Sequence, residues 1–65
     1  MMAHYQGVTI TMDGTRYFAK WFVEDDILTV FADGLGRAST QIRGLSEDWL
    51  AKDLLRKLVR EKDAA

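Results

Sequence analysis

The chain has 65 residues, of which 48% are hydrophobic and 29% charged, with a formal net charge of −1 and no Cys or Pro. That composition excludes a disordered segment and allows one small α+β domain, expected to span 1–65 with frayed ends at 1–4 and 63–65. The slightly acidic balance argues against an overall basic nucleic-acid binder. Without Cys, and with His4 as its one His, the chain lacks the usual disulfide and metal supports of very small domains, which leaves oligomerisation.

Tyr5–Met12 alternates apolar and polar residues and ends at Asp13-Gly14, a strong signal for a two-residue type I′ hairpin turn. Closing that turn pairs Met12 with Thr15, Ile10 with Tyr17 and Val8 with Ala19, so Val8, Ile10 and Met12 share a face with Tyr17, Ala19 and Trp21. The second strand, Thr15–Glu24, carries aromatic residues on both faces: Tyr17 and Trp21 on one, Phe18 and Phe22 on the other. Asp25-Asp26 is expected to turn next, although both central residues of a type I′ turn need positive φ and Asp is a poorer choice there than Gly. This pairs Trp21 with Val30 and Lys20 with Phe31, within cation–π reach. After a third strand, Ile27–Asp33, the loop Gly34-Leu35-Gly36 is expected to pair Asp33 with Arg37, Val30 with Thr40 and Leu28 with Ile42. The fourth strand is then Arg37–Arg43. Apolar faces agree across all three turns, so the chain reads as a four-stranded antiparallel meander.

Ser46 is a good helix N-cap, with Glu47 and Asp48 behind it where the helix dipole favours negative charge. Ala51, Leu54, Leu55 and Leu58, flanked by Leu50 and Val59, form one apolar stripe at helical spacing. This C-terminal helix is expected to lie on the clean apolar face of the sheet.

A helix about 10–12 Å wide cannot cover a four-stranded sheet, so surface is left over. The first strand carries no Lys, Arg, Asp, Glu or Pro from Tyr5 to Met12, although exposed edges usually carry such blockers. Tyr5, Gly7, Val8, Thr9, Ile10, Thr11 and Met12 are therefore candidates for a homodimer seam. The second sheet face collects Arg16, Phe18, Lys20, Phe22, Phe31 and Arg43, a candidate binding face on which rings and cations interleave. Trp49 falls opposite the helix stripe beside Lys52 and Arg56. These three form a candidate partner contact, although a first-turn Trp more often folds back onto a loop, here Leu35 or Leu45.

Candidate chemistry is sparse. Gly34-Leu-Gly36 opens no helix and so lacks the amide arrangement that binds phosphate. Glu24-Asp25-Asp26 has no calcium-loop spacing, and His4 has no partner residues for catalysis or metal binding. The chain is expected to be a non-enzyme without cofactor or metal. The first residues lack the charged and apolar regions of a secretory signal, and no run reaches the roughly 20 apolar residues of a membrane span. A cytoplasmic protein with no membrane contact is therefore expected. Its expected role is that of a homodimeric protein-interaction or regulatory module with a further protein as candidate partner. Nucleic-acid binding by the aromatic and basic face is one alternative, and small-ligand binding at a dimer interface is another.

Overall fold

The computed structural model describes residues 5–64, with side chains through residue 62; residues 1–4, His4 among them, and residue 65 lie outside the described residues. Strands β1 (Gln6–Met12), β2 (Thr15–Glu24), β3 (Ile27–Ala32) and β4 (Gly36–Gln41) form one antiparallel sheet in sequence order, followed by helix α1 (Glu47–Ala64). The α+β meander with one C-terminal helix is the architecture that the turn chemistry and the helical stripe predict.

Both early hairpins close in the expected register. Met12 faces Thr15, and Val8 faces Ala19; Glu24 faces Ile27, and Trp21 faces Val30. Asp13 and Gly14 take φ values of 51° and 78°, as a type I′ turn requires. Asp25 and Asp26 also accept positive φ, 54° and 61°, and keep their loop at two residues despite the cost to side chains with a Cβ.

The third hairpin corrects the sequence reading. Its loop is Asp33-Gly34-Leu35, so Ala32 faces Gly36, Val30 faces Ala38 and Leu28 faces Thr40, a two-residue slip from the expected pairing. The Leu35 N–H donates to the Ala32 carbonyl at 3.1 Å, and Gly34, at φ 80°, occupies the third turn position, which needs positive φ. A slip of two preserves which face each residue points to. The energetic difference is that Leu35 packs partly buried against the core instead of standing at a loop tip. Lys62 Nζ donates to the Gly34 carbonyl at 3.0 Å and ties the helix end to this loop.

The fourth strand also stops early. Ile42 N–H donates to the Asp26 carbonyl at 3.0 Å, and Leu45 N–H donates to the Ile42 carbonyl at 3.0 Å. Between them Arg43 and Gly44 are left-handed, at φ 50° and 78°. The chain therefore reverses at Arg43, which leaves the sheet, and then enters the helix. Ser46 caps α1: its Oγ accepts the Trp49 N–H at 3.4 Å, and its carbonyl accepts the Leu50 N–H.

The core lies between α1 and one sheet face. Val8, Ile10, Ala19, Trp21, Leu28, Val30 and Ala32 meet Leu50, Ala51, Leu54, Leu55, Leu58 and Val59, all buried. Each large side chain here contributes about 1.5–3 kcal/mol before its entropy cost. Among the described residues no element lies over the other sheet face.

Candidate functional site

Odd-numbered residues of β1, β3 and β4 and even-numbered residues of β2 share the open face. One row across the sheet reads Gly7, Lys20, Phe31, Arg37, and the next continues through Phe22, Thr29 and Ser39. Tyr5, just before β1, completes that second row. Its ring meets Phe22 edge-on, with centroids 5.4 Å apart and planes at 74°, and meets Phe31 at 5.5 Å and 88°. Phe22 and Phe31 lie 6.4 Å apart at 62°. Three rings thus pack one another in the T-shaped geometry that aromatic quadrupoles favour. Lys20 faces Phe31 in register, yet among the described residues the ring–ring contacts of Phe31 are with Tyr5 and Phe22, and the expected cation–π pair with Lys20 is not formed.

Beside the ring cluster, Phe18 is 59% and Ile27 40% exposed. Phe18 faces Thr9 in the register, and its ring leans diagonally onto Gly7. A Cβ at Gly7 would sit 3.1 Å from Phe18 Cε1. The glycine thus provides the space the ring occupies. A shallow depression is lined by Tyr5, Phe22, Phe31, Gly36 and Arg37. At the face's centre Thr29 is buried, and its Oγ1 shares a 2.9 Å hydrogen bond with Ser39 Oγ.

The charges on this face are unbalanced. Arg16, Lys20 and Arg37 stand on it. Arg43, expected on the fourth strand, reaches its end from the following turn, where its Nε donates to Gln41 Oε1 at 2.9 Å. Among the described residues the ion pair is Asp53–Lys57, 3.6 Å, on α1, so these four cations have no carboxylate partner there. Glu24 and Asp33 share the face's margins.

The seam candidates divide by parity. Val8 and Ile10 are buried under the helix and Met12 is half-buried, whereas Gly7, Thr9 and Thr11 are exposed at an edge that no strand covers among the described residues. Tyr5 belongs to the ring cluster as much as to the edge. Extending the β1–β2 register one step past Gln6–Trp21 places it opposite Phe22, a signal present in the sequence. Arg37 is also absent from the sequence-derived set: the expected register paired it with Asp33, whereas it faces Phe31.

On α1, Trp49 keeps 54% of its surface exposed, and Leu45, one of its expected loop contacts, keeps 52%. More than half of Trp49 therefore stays open to contact. Lys52 is exposed and Arg56 half-buried on the same helix side.

Among the described residues no three His, Cys, Asp or Glu side chains converge as a metal-ligand set, and no helix is long and apolar enough to cross a membrane. No family model, curated protein or solved structure matches the chain.

Proposed function

We propose that the chain is a homodimeric protein-interaction module, with a binding or regulatory role, that presents the open face of its sheet to a further protein. The observation that carries this reading is the uncovered ring cluster of Tyr5, Phe22 and Phe31, with Phe18 and Ile27 exposed beside it. Exposed contiguous apolar surface rimmed by polar groups is the signature of a protein contact. A domain this small also gains stability from a second copy.

Nucleic-acid binding is the second reading, favoured by Arg16, Lys20, Arg37 and Arg43, which have no carboxylate partner among the described residues. Base stacking, however, needs ring faces turned outward, and rings packed edge-on at 74° and 88° spend those faces on one another. The net charge of −1 further weakens attraction to phosphate.

Sedimentation at high micromolar concentration, and amide spectra with a short single-stranded oligonucleotide at low salt, test the two readings. A dimer whose β2 and β3 amides ignore the oligonucleotide supports the protein contact. A captured, identified protein that Phe18→Ser releases and Lys57→Ala retains supports it further. A monomer, or amide shifts on Arg16–Glu24 that added salt reverses, overturns it.

A further inference from the structure

We propose that the homodimer axis passes through Thr9, with two β1 strands pairing antiparallel into one continuous sheet, so that the open faces of both copies join. This rests on the homodimer reading and specifies its seam. In the turn Met12-Asp13-Gly14-Thr15 the Met12 carbonyl accepts the Thr15 N–H, so the Met12 backbone points toward β2. Strand backbone groups alternate in direction, so those of Ile10 and Val8 also point inward, and those of Gly7, Thr9 and Thr11 point outward from the edge. These outward N–H and C=O groups form a free hydrogen-bonding ladder, on a strand with no charge or Pro to deter pairing.

Antiparallel self-pairing keeps each side chain on its own face only if a residue, not a peptide bond, lies on the two-fold axis. Centring on Thr9, the midpoint of Gln6–Met12, pairs the whole strand. Thr9 then exchanges both backbone hydrogen bonds with the partner's Thr9, and Gly7 does so with the partner's Thr11. Val8 comes beside the partner's Ile10 on the side the helices cover. A β1–β4 contact would be heterologous and could not give a two-fold dimer, and β4 carries Arg37.

The seam also gives the leaning Phe18 ring a neighbour. It rests on Gly7, and Gly7 pairs with the partner's Thr11, so the ring reaches the second copy. Lys20, Gly7, the partner's Thr11 and the partner's Arg16 then share one row. Three strand spacings of about 4.8 Å put those two cations about 14 Å apart, beyond the screening length of about 8 Å at physiological salt, so they do not oppose the pairing.

The absence of Cys makes single-cysteine crosslinking clean. Under mild oxidation Thr9→Cys should give a covalent dimer, because the two axial residues lie about 5.5 Å apart. Thr11→Cys should remain monomeric on a denaturing gel, since its copies are separated by four residues along the strands. Isotope-filtered spectra of the unmodified chain should show contacts between Phe18 ring protons and the Thr11 methyl of the other copy. Thr9→Lys, at an exposed position, should weaken association at least tenfold, with recovery in high salt. A chain monomeric at high micromolar concentration overturns the homodimer reading and the seam with it. A dimer that crosslinks equally at both positions, or that lacks the Phe18–Thr11 contact and tolerates Thr9→Lys, overturns the seam alone.

Discussion

The Phe18 ring lies against the backbone of Gly7, so close that a methyl group there would meet Phe18 Cε1 at 3.1 Å and Cζ at 3.3 Å. Gly7 is not among the residues at positive φ, so alanine is compatible with the backbone and the conflict is with the ring alone. Phe18 is 59% exposed and free to swing outward. Gly within a strand costs roughly 0.5–1 kcal/mol relative to Ala. Gly7→Ala should therefore leave stability level or slightly raised while displacing the ring. Denaturant midpoints and Phe18 ring proton shifts measure both effects. A loss of more than about 2 kcal/mol, the scale of a disrupted core, would mean that the ring is held in place.

Leu55 is fully buried between helix and sheet, in contrast to Phe18 on the open face. Leu55→Ala should cost about 2–5 kcal/mol, a large part of the total stability of a domain this small. Phe18→Ala removes a larger side chain yet should cost less than Leu55→Ala. Equilibrium denaturation of the two variants side by side checks the order, and the reverse ranking would mean that the open face is the better packed of the two.

Most of the fold was legible because two independent signals agreed. Asp13-Gly14 and Asp25-Asp26 set turn lengths, and those lengths put Val8, Ala19, Trp21 and Val30 on one face without further assumption. The third hairpin was legible in face but not in register. Asp33-Gly-Leu-Gly offers two glycines able to take positive φ, and both loop choices preserve parity. What separates them is the packing of Leu35 against the core and the Lys62 hydrogen bond to Gly34, both tertiary effects with no local trace. The same slip hid the Thr29–Ser39 pair, since the expected register placed Thr29 opposite Gln41. On the open face, Phe18, Phe22 and Phe31 followed from alternation. The edge-on packing that joins Tyr5 to them depends on rotamers that a linear pattern does not contain.

The turn at Asp25-Asp26 is a place where the backbone conformation and the residues disagree. Both take positive φ, which costs an L-residue about 1–2 kcal/mol, less for Asp than for most. Asp25→Asn with Asp26→Gly gives the preferred Asn-Gly type I′ pair and should raise stability by about 1 kcal/mol. Asp26→Val, with a branched Cβ, should lower it by at least as much. Thermal unfolding at fixed salt reads both, and equal midpoints for the two variants would show that the loop rearranges to avoid the strained conformation.

Thr29 and Ser39 share a 2.9 Å hydrogen bond at the centre of the open face, where Thr29 is 8% exposed. The two face each other in the β3–β4 register, and Phe22 lies opposite Thr29 on the other side. Ser39→Ala leaves the Thr29 hydroxyl without that partner, and a buried hydroxyl so orphaned costs about 1–3 kcal/mol. Thr29→Val removes the hydroxyl while keeping the branched shape suited to a strand, so it should cost less. Combining Thr29→Val with Ser39→Ala removes both polar partners together, and the double variant should be more stable than Ser39→Ala alone. The double-mutant cycle measured by urea denaturation isolates this coupling, expected at about 0.5–1.5 kcal/mol for a neutral hydrogen bond. Strictly additive losses would show that water satisfies Thr29 as well as Ser39 does, and that the centre of the open face is wet in solution.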